Sequence, residues 1–236
     1  MQSSMLFNAF NWYNSEEEWS KSVLDYIQEV ISRLATQNCR SINIALAGGS
    51  TPYGIYTELA QQWSTVSSMP KISLFLTDER DVPLTHPDSN GAKISQIFNA
   101  FNTILIDPLE FNAERIYRSK IEESLIDRGG AFDLILLGMG EDGHVASLFP
   151  GKMRWPEPNQ TFYKTDGPRQ SARYTLALST LIKAHNVGII IGNQPKKHEI
   201  IQQLKENNPS VMQLPVYQLL EMRKSSVNWF IHKRDD

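Results

Sequence analysis

A histidine beside a carboxylate on a glycine-rich loop is a pairing that can take a proton from water at neutral pH. The segment LLGMGEDGHVASLFPG (136–151) has this form: Gly138, Gly140 and Gly143 punctuate the end of an apolar run, and Asp142 and His144 stand among them. The ordinary alternative is an imidazole bonded to backbone, with Asp142 closing an Asx-turn. A second loop, AGGSTP (47–52), offers different chemistry. Its two glycines let the backbone approach a ligand closely. Ser50 or Thr51 is expected to cap the helix that follows, with that helix's N–H groups facing an anion. This describes a phosphate or carboxylate cradle, or else a plain strand–helix turn. It is neither a Walker loop, whose lysine is missing, nor GxGxxG. The third loop, LTDERDVPLTHPDSNGAKI (76–94), sets Asp78, Glu79 and Arg80 directly after an apolar run. Such charges usually mark a surface cluster. At the C-terminal end of a strand, however, an arginine among carboxylates can orient a polar ligand.

Other chemistries find little support. The histidines at 86, 144, 185, 198 and 232 show no HExxH motif or close pairing, and no metal site is expected. One cysteine, Cys39, excludes an intramolecular disulfide and is expected to be inert. A formal net charge of −3 gives no general attraction to nucleic acid or anionic lipid, so an anionic ligand needs local donors. No apolar run approaches the ~18–20 residues of a membrane span. The opening MQSSMLFNAFNWYN has no basic or continuously apolar leader character, and a cytoplasmic location is the expectation.

These loops need a scaffold, and 236 residues suffice for one α/β domain over 1–236. Residues 16–37 carry an apolar stripe of Trp19, Val23, Ile27, Val30, Ile31 and Leu34, and Ser15 with Glu18 forms a capping box. INIALAG (42–48), ISLFLT (72–77), FDLILLGMG (132–140) and NVGIIIGN (186–193) read as buried strands, the third as the central one. RYTLALS (173–179) and SVNWFIH (226–232) read as further strands. Pro52 is expected to open one helix, Ser89–Ala100 to form another, and Ile200, Ile201 and Leu204 to lie on a third. Strands alternating with helices predict a Rossmann-like α/β fold: a mostly parallel central sheet with helices on both faces. Residues 151–170 are expected to form a long, mobile, function-bearing loop.

The three loops together resemble the 6-phosphogluconolactonase family, within the wider glucosamine-6-phosphate isomerase superfamily. The resemblance rests on GGSTP (48–52), DER (78–80) with HPDSN (86–90), and GMGEDGHVASLFPG (138–151), with weaker support from RYTLALS and NPSV (208–211). It implies metal-independent, cofactor-free hydrolysis of 6-phospho-D-glucono-1,5-lactone in the oxidative branch of the pentose phosphate pathway. By that resemblance His144 is the general base, with Asp142 expected to orient its imidazole and Asp78, the substrate-site acid, to hold Arg80 or a sugar hydroxyl. Gly48, Gly49, Ser50 and Thr51 hold the phosphate, with Arg173 and Lys197 as its basic contacts and Arg80 as the substrate-site arginine. Lys196 is an alternative to Lys197. The oxyanion donor is either Arg80 or a backbone N–H within 138–143. The expected partner is a small phosphorylated sugar lactone, with no nucleic acid or membrane. A monomer is the expectation, with an oligomer left open. Where the isomerases of the superfamily carry a tyrosine and a catalytic carboxylate, this chain has Arg80 and Ser147-Leu148-Phe149-Pro150.

Overall fold

The computed structural model describes residues 10–37, 39, 41–67, 69–152, 160–168 and 171–233. Along them run β1 (Phe10–Tyr13), α1 (Glu16–Thr36), β2 (Ile42–Leu46), α2 (Ser50–Ser64), β3 (Ile72–Leu76) and β4 (Asp78–Arg80). There follow α3 (Asn90–Ile97), β5 (Asn102–Thr103), α4 (Ala113–Leu125), β6 (Leu134–Leu137), β7 (Phe162–Asp166) and β8 (Ala172–Leu176). The chain continues through α5 (Leu178–Lys183), β9 (Asn186–Ile191), α6 (Pro195–Lys205), α7 (Pro215–Met222) and β10 (Asn228–His232). Ser15 accepts the Glu18 N–H at 3.2 Å, so the first helix begins at its sequence-encoded cap.

Seven strands form one sheet in the order β1-β10-β9-β6-β2-β3-β5, and every pairing in it is parallel. The apolar runs explain its centre: every residue of β2, β3 and β6 is buried, as strands covered on both faces require. Each fully buried Ile or Leu there is worth about 1.5–3 kcal/mol. α1 packs on α2, α2 on α3, and α5 on α7; with this strand order, the preference for right-handed crossovers puts α1, α2 and α3 on the face opposite the later helices. Strand order reverses between β2 and β6, and an open α/β sheet binds ligands at such a point. Leu46 is level with both Leu136 and Leu76, so the loops after β2, β6 and β3 leave the sheet together.

Three expectations change. RYTLALS is a strand only as far as Leu176, its last two residues opening α5, and β8 lies in a second, antiparallel sheet of order β4-β8-β7. The DER segment, read as a loop, is β4 of that sheet. Within 151–170, residues 162–166 form β7 instead of loop, with Phe162 buried against Tyr117 at 4.8 Å between ring centroids. Residues 153–159, 169 and 170 of the expected mobile loop lie outside the described residues. Among the described residues, no helix is long and apolar enough to cross a membrane.

Candidate active site

The cradle loop follows β2 directly. A Cβ on Gly48 would lie 2.0 Å from the Asn90 side chain, and Gly49 has φ +97°, so both positions favour glycine for different reasons. The expected side-chain cap is absent: α2 starts at Ser50 behind Gly49, and no side chain closes its first turn. Pro52 accordingly sits third in the helix instead of opening it. An uncapped helix N-terminus presents N–H donors and the positive end of the helix dipole, which suits an anion. The Gly49 N–H itself donates to the Tyr53 hydroxyl at 3.2 Å.

Beside it, β4 distributes the DER charges in three directions. Asp78 is buried; its Oδ1 accepts from the Thr77 hydroxyl at 3.1 Å and its Oδ2 from Ser147 at 2.8 Å. Glu79 is fully buried and accepts from the N–H groups of Arg80, Asn90 and Gly91 and from the Ser89 hydroxyl. Burial raises its pKa, and these donors only partly offset the effect. Arg80 donates to the Asp88 carbonyl at 2.6 Å and stands directly opposite Arg173 in the β4–β8 register. Burial and the Arg80 charge together lower the Arg173 pKa. Among the described residues, neither Arg80 Nε nor Arg173 Nε has a hydrogen-bond partner. Like charges directly opposite destabilise a strand pair, and an anion placed between them would relieve that cost.

The loop after β6 is tightly self-bonded. Gly140 N–H donates to the His144 carbonyl and Gly143 N–H to the Gly140 carbonyl, which removes both from the possible oxyanion donors. A side chain on Gly140 would collide with the His144 ring, and Gly143 has φ +76°. Asp142 Oδ1 lies 2.5 Å from His144 Nδ1 and also accepts the His144 N–H at 3.2 Å. Burial raises the Asp142 pKa, but its bond to His144 outweighs this and leaves it below the ordinary carboxylate value. Behind the imidazole stands Phe149, with ring centroids 4.6 Å apart. Ala146, also at the cleft, holds a left-handed φ of +50°, a strained conformation for a residue with a Cβ.

The two lysines of α6 separate cleanly. Lys196 is exposed and pairs with Glu141 at 3.1 Å, whereas Lys197 lines the cleft. Burial lowers the Lys197 pKa, partly offset by the Glu141 charge.

Gly48, Gly49, Ser50, Thr51, Asp78, Arg80, His144 and Lys197 thus converge on one cleft of about 240 Å³. Asp142 and Arg173 are not among its lining residues; Asp142 is bonded to the lining His144, and Arg173 is the cross-strand partner of the lining Arg80. Asn90, Met139, Ala146 and Ile190 also line it and were not singled out from sequence. Asn90 carried a signal as the last residue of HPDSN, and Met139 and Ala146 as members of GMGEDGHVASLFPG; Ile190 carried only that of a buried strand. Among the described residues, no three His, Cys, Asp or Glu side chains gather as a metal would require.

Known proteins similar to this chain in sequence and fold are consistent in kind. The sequence model of the family described as glucosamine-6-phosphate isomerases/6-phosphogluconolactonase matches residues 14–229. A 6-phosphogluconolactonase from Thermotoga maritima is 30% identical over 233 residues, covering 94% of this chain and 97% of that protein. A Caenorhabditis elegans protein named as a putative 6-phosphogluconolactonase is 30% identical over 207 residues, covering 82% of this chain and 76% of its own length. The crystal structure of the Thermotoga maritima 6-phosphogluconolactonase superposes with a TM-score of 0.78 at 26% identity, over 95% of this chain and 99% of that one. The Trypanosoma cruzi 6-phosphogluconolactonase shares the fold with a TM-score of 0.82 at 23% identity, over 98% and 97% of the two chains.

Proposed function

Because the chain belongs to the glucosamine-6-phosphate isomerase/6-phosphogluconolactonase family, we propose that its cleft hydrolyses 6-phospho-D-glucono-1,5-lactone to 6-phospho-D-gluconate. The observation that carries this reading is the His144–Asp142 pair at one end of a cleft whose other wall is an uncapped, glycine-built helix start. Asp142 holds Nδ1, so Nε2 is the nitrogen that takes a proton from water. The water oxygen bonds to the lactone C1, and the carbonyl electrons move onto its oxygen. That charge is met by a backbone N–H of the 138–143 loop other than those of Gly140 and Gly143, Arg80 being engaged with the phosphate. As the carbonyl re-forms, the bond from C1 to the ring oxygen breaks and protonated His144 returns its proton to the departing oxygen. The acid product then ionises and releases one proton. Phosphate bound at Gly48–Thr51, with Lys197, Arg80 and Arg173, orients the lactone, so that remote binding energy serves the reacting carbon.

Isomerase chemistry on the same scaffold would ask Asp78 to shuttle protons. Here both Asp78 oxygens accept hydrogen bonds from hydroxyls, which favours a positioning role for that carboxylate. The deciding experiment supplies freshly made lactone and, separately, glucosamine 6-phosphate, with chelator present. Lactone hydrolysis well above the uncatalysed rate, without ammonia release, is expected. Ammonia release without lactone turnover would refute the reading.

A further inference from the structure

The most enclosed polar side chain of the cleft belongs to none of the catalytic or phosphate-binding groups. Asn90 is 2% exposed, yet it lines the same cavity as His144 and Lys197. Its backbone N–H, at the first position of α3, donates to Glu79 at 2.8 Å, and its side-chain Nδ2 donates to the Asp78 carbonyl at 2.9 Å. Only the amide nitrogen can donate to a carbonyl, so this bond fixes which way the amide faces. The amide then lies flat against Gly48: a Cβ there would be 2.0 Å from both Asn90 Cγ and Oδ1. One side chain therefore touches both the cradle turn and the strand that carries Arg80.

We infer that Asn90 is the positioning residue of the cradle: its amide sets the Gly48 turn against the Asp78–Arg80 strand and so fixes where both meet a phosphate. The inference rests on the reading of the cleft as a phosphate-ester site. It accounts for three features together. Gly48 has no room for a side chain because the amide occupies it. Asn90 is buried at a helix start, where asparagine more often sits exposed as a cap. The buried Glu79 is retained because it fixes the residue that carries the amide. Removing the amide leaves the Gly48 turn unsupported and the Asp78 carbonyl without its donor, so the cradle and Arg80 no longer hold a common geometry.

The test measures inorganic phosphate and 6-phosphogluconate binding by calorimetry for wild type, Asn90→Ala and Asn90→Ser, with thermal midpoints as the check on folding. Steady-state constants are compared for the phosphorylated lactone and for unphosphorylated gluconolactone. Loss of one buried positioning hydrogen bond predicts roughly tenfold weaker phosphate binding. KM for the phosphorylated lactone should rise more than kcat falls, and the preference for phosphorylated over unphosphorylated lactone should shrink. If Asn90→Ala does not fold, Asn90→Ser, which keeps a short polar group at the helix start, carries the same readouts. A folded variant that binds phosphate as wild type does, or that loses both lactones in equal proportion, overturns the inference. If wild type itself binds neither phosphate nor 6-phosphogluconate, the phosphate-ester reading fails, and this inference fails with it.

Discussion

Asp142 decides what the two nitrogens of His144 can do. A charge-assisted hydrogen bond of this kind is worth about 1.5–3 kcal/mol, so Asp142→Ala should lower kcat by roughly 10- to 100-fold while leaving KM nearly unchanged. Steady-state kinetics on purified variant checks this; an unchanged kcat would make the contact incidental. Stability should respond at the acid end. The folded Asp142 pKa is depressed, so its contribution is fully present above the ordinary carboxylate value of 3.8 and is lost as pH falls through the lower folded value. The side chain is half exposed, so the effect is small. Arg173 makes a contrasting case. It stands directly opposite Arg80 in the strand register, where like charges repel, so Arg173→Met should leave the unliganded protein as stable as wild type or more so. The same variant should raise KM for phosphorylated substrate by about tenfold or more, measured beside a denaturation curve. His144 and its loop are legible in sequence because glycines and titratable groups crowd a short stretch. The Lys196–Lys197 choice is not, since it depends on which way successive residues of α6 point. Asn90 escapes notice because an asparagine at a helix start is ordinary until its side chain is found facing inward.

Among the elements, β4 and α3 are joined by a buried carboxylate. Glu79 receives four hydrogen bonds, three of them from backbone N–H groups, two of which belong to the first residues of α3. Glu79→Gln keeps the shape but turns an NH2 toward groups that donate. A loss of about 1–3 kcal/mol is expected in urea denaturation at neutral pH. The pH dependence runs opposite to that of Asp142. The folded Glu79 pKa is raised, so the folded state holds this proton more tightly. Its contribution is fully present below the ordinary value of 4.5 and is lost as pH rises through the raised folded value. The glutamine variant should lack that slope, and an identical slope in both proteins would argue against it. Elements with a strong local signal are legible: β2, β3, β6 and β9 as continuous apolar runs, α1 by its stripe and cap. β4 is not, because Asp-Glu-Arg becomes a strand only by pairing with β8, more than ninety residues later. β1 is hidden for the same reason, since it is an edge strand whose partner β10 lies more than two hundred residues later; β7 pairs locally with β8, but its FYKTD run carries no continuous apolar signal. The start of α2 is misread because a glycine with positive φ, and no side chain, ends the turn before it.

On the scale of the whole molecule, the reversal of strand order between β2 and β6 brings the glycine turn and the histidine loop to the same edge of the sheet. The small antiparallel sheet adds the two arginines, and the start of α6 adds Lys197. Because these positive groups are gathered before any ligand arrives, phosphorylated product should stabilise the fold by mass action. At a hundred times its Kd the gain is about 2.7 kcal/mol, read as a rise in thermal midpoint. Unphosphorylated gluconate at the same concentration should give a much smaller rise.

The most direct test of the central claim is proton release at fixed pH on mixing wild type or His144→Ala with fresh 6-phosphogluconolactone, after subtracting spontaneous hydrolysis. The account predicts rapid release by wild type and a fall of roughly two to four orders of magnitude in a folded His144→Ala that still binds 6-phosphogluconate. Wild-type turnover in that folded variant would contradict it, and the base would have to be sought elsewhere in the cleft.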